Sequence, residues 1–188
     1  MQKLIVFNNI SLDGYFTAAN GDFSWAKVDT DDAEFTAFVE GNASGHGQLL
    51  FGRITYEMMA GFWPTPFAIK TFPKTAEGMN RSSKVVFSRT LSNAPWNNTR
   101  LVKSDLASEV RKMKNEPGNG IAILGSGSIV AQLAPESLID EYQFMVNPVV
   151  LGNGRTMFEG VTERINLKFT KTRTFNNGKV FLCYEPLA

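Results

Sequence analysis

The stretch Gly120-Ile-Ala-Ile-Leu-Gly-Ser-Gly-Ser128 is a short apolar run that passes directly into small residues. A continuous apolar run of this length is typical of a strand that is buried on both faces. The mostly apolar segment from Ile129 to Leu133 follows and predicts a helix. The stretch therefore predicts a buried strand that turns through glycine into a helix, which is the repeating unit of an α/β sheet.

Similar apolar runs predict the other strands of this sheet, at residues 3–10, 48–51, 84–88, 99–103, 142–151, 167–175 and 180–185. Helices are expected from residue 31 onward, at 54–60 and at 105–115. Residues 61–73 contain three prolines and are predicted to form a long loop with aromatic anchors.

The order of these elements predicts the fold class. Asn176-Asn-Gly178 predicts a hairpin turn between the last two strands. Strands that alternate with helices predict an α/β fold of three layers, in which helices cover both faces of a mostly parallel sheet. We expect a single domain over residues 1–188, with a C-terminal antiparallel hairpin.

Composition narrows the function classes. The chain has 19 basic and 18 acidic residues, so its net charge of +1 gives no reason to expect a nucleic-acid or membrane-surface partner. No apolar run reaches the length of a membrane span, and no signal peptide is recognised, so a cytoplasmic protein is expected. Cys183 is the only cysteine and His46, in a predicted loop, the only histidine, so we expect no disulfide, no metal and no histidine-based triad.

The residues that follow three strands are the candidates for ligand binding, because ligands of open α/β sheets bind at the carboxyl ends of the strands. Gly52, Arg53 and Thr55 follow the second strand, and Ser88 and Arg89 follow the third. The glycine turn at residues 125–128 lets backbone N–H groups approach a phosphate. The alternative for the two arginines is that they are ordinary surface residues. The alternative for the glycine turn is that it serves only tight packing, since Val130 occupies the third glycine position of the G-x-G-x-x-G motif.

In its ordered motifs the chain resembles the dihydrofolate reductase superfamily, and most closely the reductase domain of bifunctional riboflavin-biosynthesis deaminase-reductases and their stand-alone relatives. The matching segments are Ser11-Leu-Asp-Gly14, Phe51-Gly-Arg-Ile-Thr-Tyr-Glu57, Lys84-Val-Val-Phe-Ser-Arg-Thr-Leu91, Gly125-Ser-Gly-Ser128, Leu138-Ile-Asp-Glu-Tyr142 and Pro148-Val-Val-Leu-Gly-Asn-Gly154. They occur in the family's order over residues 1–160, which is nearly the whole chain.

The resemblance implies a dihydrofolate reductase-like fold that binds NADPH. The cofactor phosphates are then held by Gly52, Arg53 and Thr55, the adenosine 2′-phosphate lies near Ser88 and Arg89, and the pyrophosphate and nicotinamide ribose lie against Gly125, Ser126, Gly127, Ser128 and Ile129. The resemblance also places Asp13 and Gly14 beside the nicotinamide, and Trp25 and Asp32 near the substrate. Because relatives use the segment at residues 138–141 for dimer contacts, a homodimer is expected.

Two positions depart from the riboflavin-pathway reductases. Those enzymes carry Lys after the Ser-Leu-Asp-Gly segment and an acid before the glycine pair, where this chain has Tyr15 and Leu124. Tyr15 is therefore a candidate substrate contact without the charge that suits a phosphoribosyl group. Phe23-Ser-Trp25 and Asp31-Asp32 match the substrate motif of dihydrofolate reductases only in part.

The expected activity is NADPH-dependent reduction of a small pterin-, pyrimidine- or carbonyl-type substrate. Asp32, Asp13 and Glu57 are the candidate proton donors, and their structural alternatives are a first-turn helix acid, an Asp-Gly turn residue and a solvated acid. Two other functions stay open. One is reduction of 5-amino-6-(5-phosphoribosylamino)uracil in the riboflavin pathway, and the other is a nucleotide-binding module without catalysis.

Overall fold

The computed structural model describes residues 1–26, 31–45 and 47–187. Its strands are β1 (Leu4–Ser11), β2 (Tyr15–Thr17), β3 (Gln48–Gly52), β4 (Ser83–Phe87), β5 (Thr99–Val102), β6 (Ile121–Leu124), β7 (Glu141–Asn147), β8 (Arg155–Thr156), β9 (Leu167–Thr174) and β10 (Val180–Pro186). Its helices are α1 (Ala33–Gly45), α2 (Arg53–Phe62), α3 (Pro66–Thr71), α4 (Pro73–Arg81), α5 (Leu106–Asn115) and α6 (Gly127–Leu133).

Eight strands form the central sheet, in the order β5-β4-β3-β6-β1-β7-β10-β9. The pairs from β5 to β7 are parallel, and β10 is antiparallel to both of its neighbours. In the turn between β9 and β10, the N–H of Phe175 donates to Lys179 O (3.0 Å). The predicted α/β class, the mostly parallel sheet and the C-terminal hairpin are therefore confirmed.

Neighbouring residues of the central strands point to opposite faces of the sheet, as the period of two requires. Leu50 and Ile123 pack with the buried faces of α5 and α6 on one side. Leu49 and Phe51 pack with Tyr56 of α2 on the other side. Helices therefore cover both faces and make three layers. None of the helices in the described part of the chain is long and apolar enough to cross a membrane.

The prediction of a long loop at residues 61–73 is wrong, because α3 and the start of α4 lie there. Pro66 and Pro73 each occupy the beginning of a helix, where the missing N–H has no intrahelical partner to lose. Thr65 also caps α3, since its Oγ1 accepts from the N–H of Ala68 (3.2 Å). The prolines start two helices here instead of breaking one.

A second sheet of only two short strands pairs β2 with β8 in antiparallel orientation. The sequence analysis did not predict it, because strands of three and two residues show no periodicity. The strand predicted at 142–151 also ends earlier, at Asn147, after which Val149 O accepts from the N–H of Leu12 (2.8 Å). Both features lie beside β1, at the edge where the parallel strands end.

Candidate functional site

A cleft of about 1520 Å³ opens at the carboxyl edge of the parallel strands. The ends of β3, β4, β5 and β6 all reach it, at Gly52, Phe87, Val102 and Leu124. Ligand pockets of globular proteins commonly have volumes of roughly 300–1,000 Å³. The cleft is therefore large enough for two ligands side by side.

The glycine turn after β6 lines this cleft and depends on small residues. Gly125 has a φ of 61°, and a Cβ there would lie 3.0 Å from the side chain of Thr55. A Cβ on Gly127 would lie 3.3 Å from the ring of Phe16. Larger residues would therefore disturb the contact between this turn and its neighbours.

Two hydroxyl side chains tie the glycine turn to the end of β3. Ser126 Oγ accepts from the N–H of Gly52 (2.8 Å), and the N–H of Ser126 donates to Thr55 Oγ1 (3.2 Å). Both side chains are buried. They fix the relative positions of the two strand ends, and Ser128 remains the exposed hydroxyl of the turn that faces the cleft.

Positive charge predominates along the described lining of the cleft. Four cationic side chains line it, namely Arg53, Arg89, Lys103 and Arg155, against one carboxylate, that of Asp105. Hydrogen bonds from Ser108 lower the pKa of Asp105, and the charges of Arg111 and Arg89 act in the same direction. Arg53 and Arg155 each pair with a carboxylate outside the lining, Glu57 (2.9 Å) and Glu159 (3.0 Å), but the lining itself has an excess of positive charge that suits an anionic ligand.

Ser88 forms the turn that brings Arg89 to this cleft. Its Oγ accepts from the N–H groups of Thr90 (3.2 Å) and Leu91 (3.0 Å). Its own N–H donates to Val102 O (3.0 Å), which holds the ends of β4 and β5 together. Ser88 therefore shapes the turn, while the exposed Arg89 is the charged group that a ligand meets.

All ten cofactor residues expected from the sequence line the one cleft. They come from three strand ends that are far apart along the chain: Gly52, Arg53, Thr55, Ser88, Arg89, Gly125, Ser126, Gly127, Ser128 and Ile129. The structure brings these residues together. Their binding of a cofactor stays a proposal.

Asp13 does not line the cleft. Its carboxylate accepts from Ser11 Oγ (2.6 Å) and from the N–H groups of Leu151 (3.1 Å) and Gly152 (2.8 Å). The hydrogen bond from Ser11 is the main cause of a lowered pKa for Asp13. These contacts hold the loop after β7 against the end of β1, and they favour the ionised form of Asp13 over a proton donor.

Asp32 also uses both carboxylate oxygens within the protein. Oδ1 accepts from the N–H of Phe35 (2.9 Å) at the start of α1, and Oδ2 accepts from the N–H of Asn177 (3.3 Å) in the β9–β10 turn. Glu57 is exposed and pairs with Arg53 (2.9 Å). Neither carboxylate lines the cleft, so none of the three acids that the sequence offered as proton donors belongs to its described lining.

The two aromatic candidates for substrate binding lie just outside the lining. Tyr15 is half-buried in β2 and pairs with Thr156. The indole N–H of Trp25 donates to Asp22 O (3.2 Å), and the indole packs edge-on against Phe23 (5.5 Å). Phe23 itself lines the cleft. The predicted loop residue His46 lies outside the described residues.

Several lining residues were missed by the sequence analysis. Lys103 directly follows β5 and obeys the same strand-end rule as Arg53 and Arg89, so that signal was available. Asn8 and Asn9 line the cleft from within β1, where polar residues in an apolar strand were a further signal. Arg155 lies in β8, which is too short to be recognised from its sequence.

Titratable proton donors are scarce in the cleft. The described lining contains no His, Cys, Tyr or Glu, and its one acid is Asp105. Asp105 caps α5 by accepting from the N–H of Ser108 (2.9 Å), and its lowered pKa keeps it ionised. Among the described lining, the remaining proton sources are ordered water, uncharged polar groups and the ammonium group of Lys103.

Comparisons with known proteins show the family to which the chain belongs. A family model described as the RibD C-terminal domain matches residues 2–181. The protein YyaP of Bacillus subtilis (strain 168) is 31% identical over 184 residues, which cover 98% of this chain and 95% of YyaP.

Two solved structures share the fold at low identity. A diaminohydroxyphosphoribosylaminopyrimidine deaminase/5-amino-6-(5-phosphoribosylamino)uracil reductase from Thermotoga maritima matches with a TM-score of 0.69 and 13% identity, over 99% of this chain and 57% of that one. Dihydrofolate reductase from Enterococcus faecalis, complexed with NADP(H), matches with a TM-score of 0.64 and 13% identity, over 99% and 97% of the two chains. The expected dihydrofolate reductase-like fold is confirmed, and with the family model covering nearly its whole length the chain belongs to the RibD C-terminal domain family.

Proposed function

We propose that the protein is an NADPH-dependent reductase of a small pterin-, pyrimidine- or carbonyl-type substrate. The observation that carries this proposal is that three separate strand ends meet in one cleft with four cationic side chains and one carboxylate among its described lining. Membership of a family named after a riboflavin-pathway reductase domain supports it, as does the fold shared with an NADP(H)-binding dihydrofolate reductase.

The residues of the cleft fit this cofactor. Added Cβ atoms at Gly125 and Gly127 would meet Thr55 and Phe16, so the backbone of this turn is packed against those two side chains. The turn also lines the cleft. Arg53 and Arg89 provide planar guanidinium groups, which suit phosphate oxygens. We assign the pyrophosphate to the glycine turn with Arg53, and the adenosine 2′-phosphate to Ser88 and Arg89.

When bound, NADPH supplies the hydride, so the chain must supply position, charge and a dry surface. Ser126 and Thr55 hold two strand ends in register through their buried hydroxyls. Arg53 and Arg89 neutralise the phosphates, and Ile129 contributes buried apolar surface. Because the one acid of the described lining is ionised, we propose that water delivers the proton to the reduced substrate.

Two further parts of the proposal concern the whole protein. We place the protein in the cytoplasm, where a soluble reductase meets free NADPH, and we expect a homodimer as in its relatives. Within the chain, Leu138 and Ile139 are buried in the core, and Asp140 binds Lys114 (2.6 Å). The segment at residues 138–141 therefore offers few free side chains, and a dimer contact must include its neighbours.

A direct experiment is to titrate the purified protein with NADPH and then to supply a panel of pterins, pyrimidines and carbonyl compounds while following cofactor oxidation. The proposal expects saturable NADPH binding and oxidation with at least one member of the panel. Protein that neither binds nor oxidises NADPH would remove the proposal. Binding without oxidation by any compound would favour the non-catalytic module instead.

The riboflavin-pathway activity is the second candidate, and the family and the Thermotoga maritima structure favour it. The uncharged residues at Tyr15 and Leu124 weigh against it. Including 5-amino-6-(5-phosphoribosylamino)uracil in the panel separates the two, because only this candidate expects that compound to be the best substrate.

A further inference from the structure

Exposed apolar side chains are concentrated beside the cleft. Ile54, Met58, Phe62, Phe67 and Ile69 all lie on α2 and α3, and each is a large apolar residue with more than a third of its surface exposed. All of them except Ile69 also line the cleft. An exposed apolar patch that continues into a ligand cleft is typical of a binding surface, because covering it removes apolar area from water.

Four aromatic rings form the centre of this patch, and we call them the aromatic wall: Phe62, Trp63, Phe67 and Phe72. The ring of Phe62 lies 5.0 Å from Trp63, 6.3 Å from Phe67 and 6.3 Å from Phe72, and Trp63 lies 6.4 Å from Phe72. Tilted and edge-on contacts of this kind are favourable for aromatic rings.

The backbone around the aromatic wall is held firmly. The side chain of Asn80 donates to Trp63 O (3.0 Å), and the indole N–H of Trp63 contacts Met59 Sδ (3.1 Å). Pro66 and Pro73 restrict the backbone at the starts of α3 and α4. The wall is therefore a preformed surface, which lowers the entropic cost of binding a planar ligand.

Beyond Arg53, the first residue of α2, the helices around this part of the cleft contribute no charged side chain to its described lining. From Ile54 through α4 the lining residues are apolar apart from Thr55 and Thr75, and α1 contributes Phe35, Val39, Asn42 and Ala43. Arg53, Arg89 and Lys103 stand at the ends of parallel strands, and the fourth cation, Arg155 in β8, is paired with Glu159 (3.0 Å). The cleft is thus divided into a cationic part and an apolar, aromatic part.

We propose that the aromatic wall binds the substrate and selects an uncharged, planar aromatic ring system over one that carries a phosphate or a carboxylate. A charge moved from water to this surface would lose hydration without gaining a partner. The cationic strand ends do not provide one, since the cofactor phosphates occupy them. This inference rests on the proposed function, because the strand ends are available to an anionic substrate if no cofactor binds there.

The test compares two probes of similar shape on the protein saturated with NADP⁺, namely quinoxaline and quinoxaline-2-carboxylate, by equilibrium dialysis. Quinoxaline should bind at least about tenfold more tightly, which corresponds to about 1.4 kcal/mol. Phe67→Ala should weaken quinoxaline about fivefold or more, since it removes an exposed ring of the wall. Phe169→Ala is the matched control, because Phe169 is an exposed phenylalanine on β9 outside the cleft, and it should change nothing.

A gain-of-function variant makes the charge argument independent of protein stability. Met58→Arg adds a cation at an exposed position of the same patch, so it should improve binding of quinoxaline-2-carboxylate relative to quinoxaline. The inference is overturned if the carboxylate binds the wild type as tightly as quinoxaline, if neither probe binds, or if Phe67→Ala and Phe169→Ala behave alike. Failure of NADP⁺ to bind, with quinoxaline binding retained, would overturn the proposed cofactor site instead.

Discussion

Arg53 and Arg89 differ in the ligand group that each is proposed to meet, and single substitutions separate them. Arg89→Ala should lower the affinity for NADPH about tenfold and leave the affinity for NADH nearly unchanged, because only NADPH has the 2′-phosphate. Arg53→Ala should weaken both cofactors similarly, since both have the pyrophosphate.

Titrations of each variant with NADPH and NADH measure this difference. Arg81→Ala is a suitable control, because Arg81 is an exposed arginine on α4 that does not line the cleft. Equal losses of NADPH and NADH in Arg89→Ala would exclude the 2′-phosphate as its partner. A selective loss of NADPH affinity in Arg53→Ala would assign the 2′-phosphate to Arg53 instead.

Lys84 is a buried cation at the start of β4, and it makes stability depend on pH. Its Nζ donates to Ser82 O (2.6 Å) and Asn80 O (3.2 Å) and lies 4.5 Å from the centre of the Trp96 ring. Burial lowers the pKa of Lys84 from 10.5 to about 8. Between these values the unfolded chain binds more protons than the folded one, so this group makes the free energy of unfolding rise with pH.

Urea unfolding at several pH values between about 7 and 10 tests this with Lys84→Met as the comparison. As the pH rises above about 8, the free energy of unfolding of the wild type should increase relative to that of the variant, by up to roughly 3 kcal/mol. Parallel pH dependences of the two proteins would show that Lys84 does not titrate in this range.

At the scale of elements, Asp32 joins the start of α1 to the β9–β10 hairpin. Asp32→Ala should lower the free energy of unfolding by about 1 kcal/mol, because it removes a helix cap. Asp32→Asn keeps one acceptor oxygen and should retain cofactor oxidation within about twofold, since Asp32 does not line the cleft. Denaturation curves and turnover of both variants are the measurements, and a large loss of turnover in Asp32→Asn with stability unchanged would restore its assignment as a proton donor.

The strands of the central sheet and most of the strand-end residues could be predicted from the sequence, because the apolar runs and the glycine and arginine residues after them are local signals. The helices α3 and α4 could not, because Pro66 and Pro73 look like helix breakers until the helix start is known. The partners of Asp13 and Asp32 could not be predicted either. Each carboxylate is bound by backbone groups more than a hundred positions away, at Gly152 and Asn177.

For the molecule as a whole, one cleft combines two surfaces of different chemistry. The parallel strands deliver cationic and glycine-rich ends to one edge, while α2, α3 and α4 place the aromatic wall beside that edge. Helix α2 connects the two surfaces, because Arg53 is its first residue and Phe62 its last. Such a division fits an enzyme that holds a charged cofactor and an uncharged substrate together.

Hydrogen–deuterium exchange with and without NADPH tests the central claim most directly, because it reports all three strand ends at once. NADPH should slow exchange at residues 52–55, 88–90 and 125–129 together and leave the hairpin at residues 167–186 unchanged. Saturable NADPH binding that protected only segments outside these three would contradict the account.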